Sequence, residues 1–557
     1  MSKTTIIVGG VAGGASCAAR LRRNDEQAKI IVLERGPHVS FANCGLPYYV
    51  SGIIANEEDL LLATPEFFQA RFNIDVRTGH NVTGIDRVKQ IVHICREDGS
   101  NEQIAYDYLV LSPGAQPILP PIPGIDLPGI FSLRTVPDSN HIKQWIKRYD
   151  VRHAVVVGGG FIGLEVTENL HHLAIGVTLI QRDPQIMTTI DPEMVQPMTN
   201  AVRAAGIDLR LNTEVSRIDS TTKDGAPGPL RITLSNGEQL VTDMLILAIG
   251  VRPDTQLAQA CGLETNSRGH IVVDSRMQTS DPTIFAVGDA VEVQCAITGQ
   301  RTALPLAGPA NRQGRMVADI ITGKRRGFRG VQGTAVCGAF GLTLASTGLN
   351  ERTLRNNKTP YEAIYIHPRN HVGYYPGAKT INMKLLYDTG SGRVLGAQAI
   401  GPDGAERRID VIAMAIQMGA SVFDLEEAEL CYAPQYGAAK DPVNLAGMVA
   451  ANAMRGDLPI THWNEIGCKT ALVLDVRTAG ELQQDPMPCG KHIPIDELRQ
   501  RLDELPKDKP IQVVCGVGIR AYNAICLLRQ HGFQASLLSG GVSTWTHLDP
   551  SPTPLKG

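Results

Sequence analysis

The sequence predicts an α/β chain of several domains, and three observations carry that expectation. Two glycine-rich strand–turn–helix–strand segments lie about 150 residues apart. The length, 557 residues, suggests three to four domains at roughly 150 residues each. A separate strand and helix pattern follows residue 460. Hydrophobic residues make up 43% and charged residues 20%, an ordinary globular composition with ample core. Glycine, at 56 residues, exceeds the usual ~7% and points to tight turns where backbone can meet phosphate.

Lys and Arg total 53 against 56 Asp and Glu, a net charge of −3, so no nucleic-acid platform and no anionic-membrane binder is expected. No apolar run approaches the roughly 20 residues that span a bilayer. The opening MSKTTIIVGG lacks the charged, apolar and small-residue order of a secretory leader. The eleven cysteines show no framework spacing, so a cytoplasmic chain with reduced thiols is the expectation.

The first segment runs through a strand at 4–8, a glycine turn, a helix over 15–23 and a strand at 29–34 ending in Glu34. A strand at 108–112 then enters the proline-rich stretch Pro117 to Pro128, expected as a crossover linker. The second segment begins at Ala154 and ends at Gln181-Arg182. Leu245 to Asp254 repeats the strand-then-Gly/Pro ending and should return the chain to the first domain. Lys324-Arg325-Arg326-Gly327 is expected as a solvated boundary loop. The expected domains are 1–150, 151–270, 271–325 (completing the first), 326–455 and 460–557. Each glycine-rich segment has the βαβ form of a Rossmann-like dinucleotide-binding unit, so two nucleotides are expected.

In such turns, backbone N–H groups approach a pyrophosphate at the positive end of the following helix. The second copy is complete, with Gly158, Gly160 and Gly163 around Ile162. The first has Gly9 and Gly14 but Val11 and Ala12 between them. Glu34, twenty residues after Gly14, is placed to bind a ribose diol. The matching residue in the second unit is Gln181, followed by Arg182. An acid there would repel a 2′-phosphate, so NADH and NADPH both stay open.

Thr279-Ser280-Asp281-Pro282-Thr283-Ile284-Phe285-Ala286-Val287-Gly288-Asp289-Ala290 resembles a segment of the flavoprotein disulfide reductase family. The resemblance covers residues 1 to about 450. It implies FAD on the first unit, NAD(P)H on the second, and Asp289 on the ribityl chain of FAD. It also places Arg35, Asn43, Ser112 and Gly114 with the first nucleotide and Gly250 with the second.

Within SFANCGLPYY, dithiol relatives carry a second cysteine five residues after the first, where this chain has Tyr49. Cys44 therefore works alone, holding oxidation as a sulfenic acid or as a disulfide or persulfide shared with substrate. The flanking Gly and Pro should put it at a helix start that favours a thiolate. Cys17 and Cys526, by contrast, are expected to be buried spacers. The decapeptide resembles the single-cysteine branch, which includes coenzyme A-disulfide reductase, NADH peroxidase and NADH oxidase. Peroxidase and oxidase members place a His where this chain has Ala12, while GGVAGGASCAARLRR looks like the coenzyme A-disulfide reductase subgroup. That resemblance implies bound coenzyme A, with Arg20 and Arg23 on its phosphates and Ser40 and Asn43 in the substrate site. It further implies an α+β dimerisation domain, a homodimer, and Tyr374 and Tyr432 reaching the other subunit's cysteine.

Cys515 follows a buried strand and precedes small residues and Arg520, a loop suited to holding a thiolate or persulfide anion. With Leu474–Thr478 and Leu538–Trp545, this region resembles a single α/β rhodanese domain. Four residues separate Cys515 from Arg520; related phosphatases need five, so sulfur transfer is favoured. The whole resembles coenzyme A-disulfide reductases fused to rhodanese, which are FAD-dependent NAD(P)H reductases of coenzyme A disulfide, coenzyme A persulfide or polysulfide. No metal is expected. Two alternatives stay open: an NAD(P)H oxidase or peroxidase using a cysteine sulfenic acid, and a sulfur carrier with a structural flavin.

Overall fold

The computed structural model describes residues 3–222, 227–467, 469–487 and 489–548. Residues 549–557 of the expected last domain, and Cys468 among the eleven cysteines, lie outside the described residues. The chain divides into two compact units, Met1–Ile186 with Ile207–Val331, and Met187–Gly206 with Gln332–Gly557.

In the first unit, Thr4–Val8 lies at the centre of a five-stranded parallel sheet, between Lys29–Leu33 and Tyr108–Leu111. Ile284–Ala286 and Asp75–Arg77 form its edges. Both faces are covered, which explains unbroken apolar runs such as Ile30-Ile31-Val32-Leu33. Helix Ala12–Asn24 packs on helix Ala307–Ile321, so closely that a Cβ on Gly314 would stand 2.0 Å from the Gly13 carbonyl oxygen. A second parallel sheet has His153–Val157 at its centre, flanked by Gly176–Ile180 and Met244–Leu247.

Two segments cross the boundaries expected from sequence. Strand Ile130–Ser132 hydrogen-bonds to Met244–Leu247 and so joins the second sheet. Helix Pro192–Ala204 packs with the second unit. Ala115–Pro117 pairs antiparallel with Val251–Pro253, which puts the outgoing and returning connections side by side. The basic run is more than a solvated loop: Lys324 and Arg326 reach Asp319 at 3.4 and 3.5 Å.

In the second unit, five antiparallel strands run in the order Ala335–Ala339, Leu342–Gly348, Val394–Gly401, Asn382–Tyr387, Glu362–Ile366. Lys384 on this sheet is fully buried, and its Nζ lies 2.7, 2.5 and 2.6 Å from Asp191, Glu193 and Glu351. The C-terminal part is a parallel sheet centred on Ile511–Val514, between Leu472–Asp475 and Ala535–Leu538. His367 joins the two parts, with Nδ1 at 2.7 Å from Asn382 Oδ1 and Nε2 at 2.9 Å from Thr544 Oγ1.

Candidate active site

Gly9 adopts φ +92°, and a Cβ there would stand 2.1 Å from the Ser112 carbonyl oxygen. A Cβ on Gly14 would stand 1.9 Å from the Gly9 carbonyl oxygen, so only glycine lets strand, turn and helix close up here. Glu34 accepts hydrogen bonds from the N–H groups of Gly10 and Gly36, each at 2.9 Å, which fixes its carboxylate beside the turn. Helix Ala12–Asn24 has no side-chain cap at Val11 and no acid in its first turn. Its N-terminal dipole is left for an anion, as the pyrophosphate of FAD requires.

The second turn repeats the design. Gly158 has φ +106°, and a Cβ on Gly163 would stand 1.7 Å from the Gly158 carbonyl oxygen. A Cβ on Gly160 would meet no protein atom within 4 Å, so the space above the turn is open for a pyrophosphate. Helix Phe161–His172 likewise has neither side-chain cap nor acid in its first turn. Gln181 Oε1 accepts from the Gly159 N–H at 2.7 Å, as Glu34 does from Gly10. Its Nε2 donates to Asp183 at 2.8 Å, an acid at this corner that the dipeptide Gln181-Arg182 does not reveal. The Arg182 side chain is 73% exposed, with Asp183 and Glu214 at 4.0 and 3.9 Å. Both turns therefore fit the dinucleotides that the sequence implies.

Other expected cofactor residues have their own partners. Arg35 pairs with Asp254 at 2.7 Å. Gly114 and Gly250 take positive φ, and the Gly250 carbonyl accepts from Ile118 N–H at 3.0 Å. Ile162 remains partly exposed next to Gly160. Arg134 donates to Asp289 at 2.8 Å.

Cys44 lies in the single 3₁₀ turn Asn43–Gly45, directly before helix Leu46–Ser51, and is exposed. Its thiol donates to Asn43 Oδ1 at 3.6 Å. Ser40, on the same loop, adopts φ +51°. Tyr49 is buried, donates its hydroxyl to Asn140 at 3.0 Å and carries the Lys143 ammonium 3.5 Å above its ring. The cysteine-bearing helix is tied to helix Phe161–His172 by Ser51 Oγ donating to Asn169 at 2.6 Å. Asn169 in turn donates to the Glu165 carbonyl at 2.7 Å.

The thiolate expected at this helix start is not favoured. Partial burial pushes the Cys44 thiol up, Glu165 adds to the rise, and Arg134 opposes it. Burial, with Glu168 nearby, raises Glu165 itself to about 7. Sequence reasoning missed Glu165 and Arg134. Glu165 sits two residues past Gly163, and its position in the turn motif was the available signal; nothing local marks Arg134.

Arg20 is ion-paired to Asp319 at 2.7 Å, while Arg23 is exposed with its guanidinium 5.2 Å above Phe72. In the second unit, the structure brings Tyr374 and Tyr432 together, hydroxyl to hydroxyl at 2.8 Å, with Tyr374 75% exposed. Among the described residues, Asp191, Glu193 and Glu351 could group around a metal ion, but the Lys384 ammonium contacts all three.

Cys515 is buried at the end of its strand and accepts from the Gly518 N–H at 3.1 Å. Arg520, expected in the substrate site, pairs with Glu481 at 2.7 and 2.5 Å and also reaches Cys515. Two expectations about the cysteines fail: Cys526 is only half-buried, unlike Cys17, and Cys489 is disulfide-bonded rather than reduced.

Residues 3–314 match the pyridine nucleotide-disulphide oxidoreductase family, 334–441 its dimerisation domain, and 459–548 the rhodanese-like domain. The chain is 34% identical to the coenzyme A disulfide reductase of Staphylococcus epidermidis over 80% of its length and 99% of that protein. It superposes on the reduced Bacillus anthracis CoADR-RHD crystal structure with TM-score 0.95 and 43% identity, covering 99% of each chain. The NAD-dependent persulfide reductase from A. fulgidus gives TM-score 0.90 at 37% identity, covering 97% of this chain and 100% of that one. With paired dinucleotide turns, a solitary Cys44 and a rhodanese-like Cys515 loop, the chain belongs to the pyridine nucleotide-disulphide oxidoreductase family, as a flavin-dependent NAD(P)H reductase that carries a C-terminal rhodanese domain.

Proposed function

We propose that the protein reduces the S–S bond of coenzyme A disulfide, coenzyme A persulfide or polysulfide at Cys44, and that its rhodanese domain handles sulfane sulfur. The carrying observation is an exposed Cys44 with the buried Tyr49 where a partner thiol would stand. The thiolate of Cys44 attacks the coenzyme A sulfur. The new S–S bond forms as the old one breaks, and the leaving group departs with the electron pair as coenzyme A thiolate or as hydrosulfide. Both coenzyme A substrates leave the same adduct, a mixed disulfide between Cys44 and coenzyme A. Bound FAD would supply the two-electron redox chemistry, fed by NAD(P)H, that cleaves this adduct.

The chain's own residues bind, orient and hold protons. The turns at Gly9–Gly14 and Gly158–Gly163 seat the two pyrophosphates. Glu165, with its carboxyl near 7, carries a proton for much of the time at neutral pH and sits close enough to influence Cys44. In a homodimer, Tyr374 and Tyr432 of one subunit supply phenol hydroxyls to the thiol chemistry of the other. Arg23, and the part of Arg20 not bound by Asp319, attract the phosphates of coenzyme A, with Ser40 and Asn43 nearer the thiol.

Steady-state kinetics on coenzyme A disulfide, coenzyme A persulfide and polysulfide, with NADH and with NADPH, tests this reading. NAD(P)H oxidation that depends on these substrates supports it. Oxidation that needs only oxygen or peroxide overturns it, and Ala12 in the first turn supplies no proton donor for such a reaction.

A further inference from the structure

Resting on the rhodanese reading of Cys515, we infer that Thr544 and His367 are positioning residues for sulfur transfer. Through them, the antiparallel sheet of the dimerisation domain holds the helix that aims the Cys515 loop. Helix Gly541–Leu548 starts against that loop. Its Val542 N–H donates to the Cys515 carbonyl at 2.9 Å, and its Ser543 N–H donates to the Gly516 carbonyl at 3.0 Å. In a trans peptide the carbonyl and the next N–H point in opposite directions. With both carbonyls held on the helix, the N–H groups of Gly516 and Val517 therefore point away from it. They can join the Gly518 N–H, which donates to Cys515 Sγ at 3.1 Å, in holding negative charge on the cysteine.

The helix start has no slack on either side. Gly541 has φ +65°, and a Cβ there would stand 2.3 Å from the Cys515 carbonyl oxygen. Gly540 has φ +70°, and a Cβ there would stand 1.9 Å from Thr544 Oγ1 and 2.7 Å from Tyr365 Cβ on the antiparallel sheet. Within its own domain the helix is held by Trp545, stacked on Trp463 at 5.5 Å. A ring stack resists separation but tolerates sliding. The directional contact comes from buried Thr544, whose Oγ1 lies 2.9 Å from His367 Nε2.

His367 is itself fixed, with Nδ1 donating to Asn382 Oδ1 at 2.7 Å. Burial keeps the ring neutral at neutral pH, so Nε2 accepts and the Thr544 hydroxyl donates. A helix that shifts at Thr544 moves Val542 and Ser543 with it, and with them the two loop carbonyls. Thr544 and His367 touch neither the sulfur nor its substrate; they act through the loop, where small misplacements of donors are costly.

The test uses the full-length, FAD-loaded protein. Thr544→Val keeps the side-chain shape and removes the hydroxyl, while Thr544→Ser restores it. His367→Asn keeps a donor for Asn382 and removes the acceptor for Thr544. In a Cys44→Ser background, sulfur transfer to cyanide is read as thiocyanate with thiosulfate and, separately, inorganic polysulfide as donor, and Cys515→Ser as the blank. Thr544→Val and His367→Asn should each lower kcat roughly fivefold or more, with KM for the donor changed by less than about twofold. Thr544→Ser should recover most of the loss. The two variants combined should cost little more than either alone, because both remove one hydrogen bond. Iodoacetamide labelling of Cys515, followed by mass spectrometry, should slow by a similar factor. With Cys44 intact, Thr544→Val should leave NAD(P)H-dependent reduction of coenzyme A disulfide unchanged. Unchanged kcat and labelling in either variant, or a loss that Thr544→Ser does not recover, overturns the inference and leaves the rhodanese reading intact. Equal loss of disulfide reduction also overturns it, assigning the contact to the stability of the whole unit. Absence of Cys515-dependent thiocyanate with both donors in the parent protein overturns the rhodanese reading and the inference together.

Discussion

Tyr374 and Tyr432 lie 58 residues apart in the chain and meet hydroxyl to hydroxyl at 2.8 Å, with neither ring buried. Two exposed phenols held together in this way are poised to act as one proton-handling unit. The hydrogen bond raises the Tyr374 hydroxyl above its usual value and keeps it protonated. Tyr374→Phe and Tyr432→Phe should each lower kcat for disulfide reduction at least about tenfold, with the double variant well short of additive. Sedimentation of each variant as a dimer separates lost chemistry from lost assembly. Additive losses, or none, would show that the tyrosines act separately or only pack.

Glu165 adds negative charge near Cys44. Glu165→Gln should let the thiol ionise at lower pH. The check is the pH dependence of thiolate absorbance, or of iodoacetamide alkylation, taken as the difference between each protein and its Cys44→Ser counterpart. An unchanged or raised midpoint would contradict the placement.

The glycines of the second turn separate binding from folding. Gly160→Ala puts a methyl into open space, so stability should change by less than about 0.5 kcal/mol while NAD(P)H affinity falls roughly tenfold or more. Gly163→Ala drives a methyl to 1.7 Å from the Gly158 carbonyl oxygen and should destabilise by about 1–3 kcal/mol or more. Thermal melts and coenzyme titrations distinguish the two, and equal behaviour would place the pyrophosphate elsewhere.

His367 makes the second unit acid-sensitive. Burial lowers its pKa from 6.5 to about 4, so on acidification the unfolded chain binds a proton before the folded one does. Stability should fall as pH drops from 6.5 towards 4, by roughly 3 kcal/mol over the interval. His367→Gln should flatten that slope in pH-dependent melts; an identical slope would assign the sensitivity to other groups.

Short-range features were legible in the sequence. The glycine spacing located both turns, because the steric demand that selects glycine acts within a few residues. The Cys44 and Cys515 loops were equally readable from their small neighbours. Partners fixed by tertiary packing were not legible. Nothing near Arg520 announces Glu481, 39 residues upstream, and nothing near Asp289 announces Arg134. Asp183 is adjacent to Arg182, yet its hydrogen bond to Gln181 depends on how the strand end turns. The Cys44 thiol shows the limit most clearly: the helix start was correctly expected, but burial and a carboxylate from another segment reverse the sign of its shift.

The central claim is that a single sulfur, Cys44, carries the reduction. Turnover of coenzyme A disulfide and coenzyme A persulfide by Cys44→Ser, with FAD content and NAD(P)H binding shown to be intact, measures it directly. The expected result is loss of both activities to background while Cys515 remains able to accept sulfur. Substantial NAD(P)H-dependent reduction of either substrate by that variant would contradict the account.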